Sequence, residues 1–161
     1  KLDKDIFYDY KAINGRGDIV KVKLFKKNFY LVDESYNSNP LSLKSALKNF
    51  DMIKIDNTKK HLILGDMLEL GKYSKKLHTE IGKSINQTSL KNVNVIGKHV
   101  KWTFNNLNKS KRGIIIKKNS EIINLIKNNL NNNDYLMIKG SNSTGLNHLT
   151  NRIKTGKFNA L

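Results

Sequence analysis

HLILGD at residues 61–66 is the stretch that decides the fold, because a short, mostly apolar run is stopped at once by a glycine and an aspartate. A run of this length without alternation is typical of a strand buried on both faces of a parallel sheet. Three runs of the same kind follow, VNVI at 93–96, GIII at 113–116 and YLMI at 135–138. The sequence therefore predicts several parallel strands in one sheet.

Apolar residues at helical spacing lie between these runs. Leu77, Ile81 and Ile85 follow the spacing i, i+4, i+8, which predicts one helix. Ser42 and Ser120 are the predicted N-caps of two others. Three further helices, the first two of them with these caps, are marked by the sets Leu43, Ala46, Leu47 and Phe50; Ile122, Ile123, Leu125, Ile126 and Leu130; and Leu146, Leu149, Ile153 and Phe158.

A hairpin is predicted ahead of the parallel strands. IVKVKLF at 19–25 alternates apolar and basic residues, and FYLVD at 29–33 is a second strand pattern. The turn is expected at residues 26–28, where Asn28 tolerates a positive φ. The fold class is thus α/β, a Rossmann-like and mostly parallel sheet with a leading antiparallel hairpin and helices on both faces.

The composition limits the classes of protein to consider. The 161 residues suit one domain, and the chain contains no cysteine and no apolar stretch near the roughly 18 residues that span a bilayer. Nothing indicates export, so a cytoplasmic location is expected. The net charge of +17 comes from lysines spread through nearly every segment, without a block of like charges. A solvated basic surface is favoured, and a basic α/β module that binds nucleic acid stays open as an alternative.

Three predicted strands end in polar loops, DESYNSNP at 33–40, GDMLELG at 65–71 and KGSNSTG at 139–145. The carboxyl ends of parallel strands share one edge of a sheet, where ligands bind, so the loops are expected to line a common site. Carboxylates and amides in the first two loops, and Ser, Lys and free N–H groups in the third, suit a nucleotide and an acidic substrate. A simple Asx-turn into a helix, or a glycine turn, explains the first two loops equally well.

Several catalytic signatures are missing from the sequence. It contains no GxxxxGK[ST], no GxGxxG and no HExxH, and the four histidines have no metal-ligand spacing. Each histidine is interpreted as a surface or packing residue. The residues present therefore indicate binding and positioning, and no catalytic residue is expected among them.

Taken in order, GRG at 15–17, DESYNSNP, LGDMLELG with His78, VIGKH at 95–99 and KGSNSTGL resemble the Mur ligase family. Within it they are most similar to the UDP-N-acetylmuramoyl-tripeptide–D-alanyl-D-alanine ligases. The resemblance implies the C-terminal domain of a three-domain enzyme that uses ATP and Mg²⁺. The reaction passes through an acyl phosphate, which the amine of D-alanyl-D-alanine attacks. The missing central domain would hold the phosphate loop, a carbamylated lysine and most contacts to Mg²⁺.

The resemblance also assigns roles to residues. Those expected at ATP are Arg16, Asp33, Tyr36, Asn37 and Asn39, with Asp33 placed at the ribose or in stabilising a closed form. Those expected to support or bind the dipeptide are Asp66, Met67, Glu69, Lys139, Gly140 and Ser141. No metal ligand is assigned.

The resemblance has domain-level consequences and one departure. Residues 1–14 are expected to be the tail of the preceding ATP-binding domain and a linker, with residues 15–161 forming the C-terminal domain. The expected partners are the two substrates and the chain's own N-terminal and central domains, in a monomer without specific nucleic-acid binding or a membrane span. Asn142 stands where the family usually has arginine, which removes a candidate partner for the dipeptide carboxylate. A sister Mur ligase with another amino-acid substrate is a further alternative.

Overall fold

The computed structural model describes residues 15–157, and the predictions for residues 1–14 and for Phe158 fall outside that range. The elements are β1 (Asp18–Leu24), β2 (Lys27–Glu34), α1 (Pro40–Asp51), β3 (Lys60–Gly65), α2 (Ser74–Asn86), β4 (Val93–Ile96), α3 (Lys101–Asn105), β5 (Arg112–Ile116), α4 (Asn119–Asn129), β6 (Tyr135–Lys139) and α5 (Leu146–Thr155). Short 3₁₀ turns occur at Asn57–Lys59, Gly71–Tyr73, Lys109–Lys111 and Asn142–Thr144.

The strands form one six-stranded sheet in the order β1-β2-β6-β3-β4-β5. β1 and β2 are antiparallel, and every other pair in the sheet is parallel. This confirms the predicted mostly parallel sheet with a leading hairpin. Because β6 lies between β2 and β3, the loops that follow these three strands are neighbours at one edge.

Helices cover both faces of the sheet, as predicted. On the face that we call the front, Leu47 and Phe50 of α1 and Ile81 of α2 pack in one apolar cluster with Leu62 and Leu64 of β3. On the back, α4 and α5 contribute to a second cluster, which includes Ile126, Ile153, Leu31 and Ile63. Each central strand therefore sends alternate side chains into two separate cores.

The hairpin turn lies one position earlier than the sequence indicated. Leu24 pairs with Lys27, which leaves Phe25 and Lys26 as a two-residue loop with φ of 51° and 61°. Positive φ at both central positions is the type I′ pattern that matches the twist of a hairpin. Asn28, the predicted turn residue, instead lies inside β2.

The helix caps also differ from the prediction. Asn39, not Ser42, is the N-cap of α1, and it accepts a hydrogen bond from the Ser42 N–H at 2.9 Å. Ser42 completes a capping box from the third helical position, with Pro40 at the first turn. α4 begins at Asn119 after Lys118, which makes no side-chain capping bond, so Ser120 is not a cap.

The sequence did not predict α3, because KWTFN is too short to show an apolar period. Its position depends on a distant residue. The Asp66 carboxylate accepts hydrogen bonds from the backbone N–H groups of Lys98, His99 and Val100 at 2.7–3.0 Å. Gly97 precedes them with φ of 134°, and a Cβ there would lie 2.5 Å from Asp66 Oδ1. Asp66 therefore ties the loop before α3 to the end of β3.

Candidate functional site

The three polar loops meet at the carboxyl edge of the sheet, as the sequence predicted. We call them the first loop (residues 35–39, after β2), the second loop (residues 66–71, after β3) and the third loop (residues 140–145, after β6). The third loop lies between the other two because β6 lies between β2 and β3.

Ser141 joins all three loops. Its Oγ accepts a hydrogen bond from the Leu68 N–H at 2.8 Å and donates to the Ser38 carbonyl at 3.2 Å. Its own N–H donates to the Asp66 carbonyl at 2.9 Å. Ser141 is buried, so the residue predicted to bind the dipeptide holds the loops together from within.

Lys139 has a similar internal position. Its side chain is 2% exposed, and Nζ donates to the Asn37 carbonyl at 2.9 Å and lies 3.4 Å from Glu34 Oε2. Burial lowers the pKa of the Lys139 ammonium, and the nearby Glu34 carboxylate opposes this effect. Lys139 thus fixes the first loop to β6 and brings its charge to the wall of a cavity.

That cavity, which we call the first-loop cavity, has a volume of about 320 Å³. It lies between the first loop and the exposed side of α1. Its walls are formed by Gly15, Arg16, Glu34, Tyr36, Asn37, Asn39, Ser42, Ser45, Ala46, Asn49 and Lys139. Four of the five residues predicted at ATP are therefore together, and Lys139 joins them.

Arg16 and Tyr36 form the open side of the cavity. The Arg16 guanidinium lies 4.7 Å from the centre of the Tyr36 ring, within the range of a cation–π contact. Gly15 has φ of 84°, and a Cβ there would lie 2.8 Å from the Tyr36 nitrogen. The Tyr36 N–H also donates to the Gly15 carbonyl at 3.1 Å. The GRG segment at residues 15–17 is thus attached to the end of β2.

Asp33, the fifth residue predicted at ATP, lies outside the cavity. It is fully buried, and its Oδ2 is 2.5 Å from Lys154 Nζ of α5, on the back of the sheet. Its Oδ1 accepts hydrogen bonds from the Ser35 N–H and Oγ at 3.0 and 2.6 Å. Contact between Asp33 and a ribose would require this arrangement to open.

Glu34 is the cavity residue that sequence reasoning missed. Strand residues alternate between faces, so Asp33 shares the back face with Leu31, whereas Glu34 shares the front face with Val32 and α1. The alternation in FYLVDE carries this signal, and applying it would have placed Glu34 in the site.

The amides of the first loop are partly occupied by local bonds. Asn37 Oδ1 accepts a hydrogen bond from the Ser38 N–H at 2.8 Å, and Asn39 Oδ1 caps α1. Both residues still line the first-loop cavity. The Asx-turn and the binding site, which stood as alternatives for this loop, are therefore compatible.

Two of the three residues predicted in the second loop are structural. Asp66 is occupied by the loop before α3, and the Met67 side chain is buried in the front core. The Met67 N–H donates to His78 Nε2 at 3.1 Å, and His78 Nδ1 lies 2.8 Å from the Ser74 carbonyl. Burial lowers the pKa of His78, which agrees with a neutral ring that accepts at one nitrogen and donates at the other.

Glu69 is exposed, in contrast to Asp66 and Met67. Its φ is 63°, a left-handed conformation that is unfavourable for a residue with a side chain. It borders a second cavity of about 210 Å³, lined by Met67, Leu68, Glu69, Leu70, Gly71, Ser74 and His99. Gly140 contributes no side chain, and a Cβ there would lie 2.8 Å from the Leu146 side chain.

Neither a metal site nor a membrane span is found in the described part of the chain. Among residues 15–157, no three His, Asp or Glu side chains are grouped so that they could hold a metal ion. No helix in that range has the length and apolar character to cross a bilayer.

Comparison with known proteins places this site in a family context. A family model described as the Mur ligase, glutamate ligase domain, matches residues 15–142. The UDP-N-acetylmuramoyl-tripeptide–D-alanyl-D-alanine ligase of Rickettsia prowazekii is 30% identical over 138 residues, which are 86% of this chain and 29% of that protein. The ligase of the same name from Buchnera aphidicola is 32% identical over 133 residues, with 75% and 26% of the two chains covered.

Solved structures agree on the fold. The MurF ligase of Thermotoga maritima in complex with ADP matches with a TM-score of 0.74 and 21% identity, over 91% of this chain and 32% of that one. The present chain therefore spans only about a quarter to a third of the length of these relatives.

Proposed function

The chain belongs to the Mur ligase family, and on this basis we propose that it is the C-terminal domain of an ATP-dependent ligase. The ligase adds D-alanyl-D-alanine to the UDP-N-acetylmuramoyl-tripeptide in the cytoplasm. The names of the two curated relatives support this choice of substrates. The observation that carries the proposal is the first-loop cavity, which has a cation and an aromatic ring at its mouth.

The first-loop cavity suits the nucleotide. Tyr36 is 41% exposed, so its ring is free on one side for a base or ribose, and Arg16 brings a charge for phosphate oxygens. Glu34 supplies a carboxylate for ribose hydroxyls, one of the two roles that the family resemblance implied for Asp33. Asn37 and Asn39 shape the wall between these groups. ADP in the Thermotoga maritima enzyme supports a nucleotide as the ligand.

The second cavity suits the incoming dipeptide. Glu69 provides a carboxylate that attracts the dipeptide ammonium. Asp66, Met67, Lys139, Gly140 and Ser141 act indirectly, since their contacts hold the loops around both cavities. Catalysis by this domain is then positioning: it brings the amine toward an acyl phosphate formed elsewhere.

The remaining parts of the reaction belong to the N-terminal and central domains. Following the family resemblance, we assign to them the UDP-sugar peptide, the phosphate loop and most contacts to Mg²⁺; no cluster of three metal-ligating side chains is found among residues 15–157. Mg²⁺ supplies charge neutralisation for the transferred phosphate when it is bound. The present domain contributes Arg16 and the cavity wall when it closes over the nucleotide.

A pair of tyrosine substitutions tests the nucleotide site. Tyr73 is also exposed and also has a cation beside its ring, Lys72 Nζ at 5.4 Å, so Tyr73→Ala is a matched control for Tyr36→Ala. In the complete natural polypeptide that carries these residues, we expect Tyr36→Ala to weaken ADP binding by about tenfold in calorimetric titration. Tyr73→Ala should leave it unchanged. Equal effects of the two substitutions, or no saturable binding by the unsubstituted protein, would contradict the proposed site.

A further inference from the structure

We propose that Lys154 of α5 is a positioning residue for the first-loop cavity, which it controls from the opposite face of the sheet through Asp33. This inference rests on the proposed function in one respect, the identity of the ligand of the first-loop cavity. α5 spans Leu146–Thr155 and so lies beyond the residues that the family model matches.

Lys154 and Asp33 form an ion pair that is largely shielded from solvent. Asp33 is fully buried, and Lys154 Nζ lies 2.5 Å from its Oδ2. A second acidic group, Asp18, is farther from Lys154 Nζ, with its Oδ2 at 4.0 Å. A buried carboxylate without its counter-charge is strongly unfavourable, so loss of Lys154 would force Asp33 to move or the strand end to open.

α5 makes a second contact at the same point. Thr150 Oγ1 lies 2.8 Å from Ser35 Oγ, and Ser35 in turn donates from N and Oγ to Asp33 Oδ1. Ser35, Thr150 and Asp33 are all fully buried. The first residue of the first loop is therefore held by side chains from the back of the sheet.

Backbone hydrogen bonds connect Asp33 to the residues at the mouth of the cavity. The Gly17 N–H donates to the Asp33 carbonyl at 2.8 Å, and the Tyr36 N–H donates to the Gly15 carbonyl at 3.1 Å. Arg16 lies between these two bonds and faces the Tyr36 ring. Movement of Asp33 would thus disturb both members of the Arg16–Tyr36 pair, although neither touches α5 in the contacts described.

The proposal is tested by removing the charge of Lys154 alone and then the charges of Lys154 and Asp33 together. Lys154→Met removes the ammonium but keeps a chain of similar length, and Asp33→Asn combined with it removes the buried charge as well. Lys127→Met on the exposed side of α4 is the matched control. Amide hydrogen exchange without nucleotide and ADP titration are measured on the unsubstituted protein and on the three variants, each as the complete natural polypeptide.

Lys154→Met should speed exchange of the Gly17 and Tyr36 amides by about tenfold or more, with amides of α2 changed less than about twofold. ADP affinity should fall by about tenfold, and the double variant should recover most of both losses. Lys127→Met should change neither. Unchanged exchange at Gly17 and Tyr36, uniform acceleration across the domain, or no recovery in the double variant would overturn the role of Lys154. Absence of ADP binding by the unsubstituted protein would reject the nucleotide site alone, because the exchange data still decide the positioning role.

Discussion

At the scale of single residues, the two cations of the first-loop cavity have different tasks. Arg16 is exposed and faces an aromatic ring, so it is free to meet a ligand. Lys139 is buried and bonded to the Asn37 carbonyl and Glu34, so most of its capacity is used inside the protein. A lysine at the end of a strand, just before a polar loop, is thus compatible with either role, and only its contacts distinguish the two roles.

Lys139→Met should destabilise the domain by about 2–3 kcal/mol. The substitution leaves the Asn37 carbonyl without its donor and Glu34 without its nearest cation. Urea denaturation measures the change, with Lys101→Met, at an exposed position of α3, as the control. A decrease in the free energy of unfolding below about 0.5 kcal/mol, equal to that of the control, would show that the Lys139 contacts do not stabilise the domain.

His78 predicts a pH dependence of stability. Burial holds its pKa below the ordinary value of 6.5, and burial lowers the pKa of His61 despite the opposing charge of Asp134. The unfolded chain therefore takes up protons first as the pH falls through 6.5, and the free energy of unfolding decreases from there down to the folded-state pKa values.

Urea midpoints at about pH 7.5 and about pH 5.5 measure this decrease. His78→Gln should make the protein less stable at the higher pH, because the Met67 N–H and the Ser74 carbonyl lose a well-placed partner. It should also reduce the difference between the two pH values. An undiminished difference would mean that His78 does not contribute to it.

At the scale of elements, the strands were predictable because each is a short apolar run ended by glycine or a polar residue. β3, β4, β5 and β6 lie within one or two residues of their predicted positions. Features that depend on contacts between residues far apart in the sequence could not be predicted. α3 depends on hydrogen bonds to Asp66, and Asn39 was given to the nucleotide although it also caps α1.

The site followed the same pattern. The meeting of the three loops was predictable from the topology of parallel strands. The roles within them were not, because carboxylates at 33, 34 and 66 look alike in sequence but have different neighbours: Lys154, Lys139 and three backbone N–H groups. Of these differences, only the one between Asp33 and Glu34 could have been predicted, because neighbouring residues of a strand face opposite sides of the sheet.

The hairpin turn offers a test at this scale. Lys26 has φ of 61° and is exposed, so Lys26→Gly should stabilise the domain by about 0.5–1 kcal/mol. Phe25 is left in place because it packs against the back core. Lys21→Gly, in the middle of β1, should instead destabilise by a similar amount. Thermal or urea unfolding of both variants measures these changes. The type I′ assignment would be contradicted if neither glycine substitution stabilised the domain, or if both did.

At the scale of the whole molecule, the positive charge is dispersed and the site is concentrated. Exposed lysines lie on the edge strand β1, on α1 and α2 at the front of the sheet and on α4 at the back, so they are not concentrated on one face. The two cavities lie along one edge of the sheet, separated by the bonds of Ser141 to Ser38 and Leu68. This arrangement suits a domain that presents one edge to the rest of an enzyme.

The most direct measurement of the central claim is phosphate release from ATP by the complete natural polypeptide that carries these residues. The assay contains UDP-N-acetylmuramoyl-tripeptide and D-alanyl-D-alanine, and each is omitted in turn. We expect release to require both, with a product whose mass has increased by the dipeptide less one water. Turnover with a single amino acid in place of the dipeptide, or release that is indifferent to either substrate, would contradict the account.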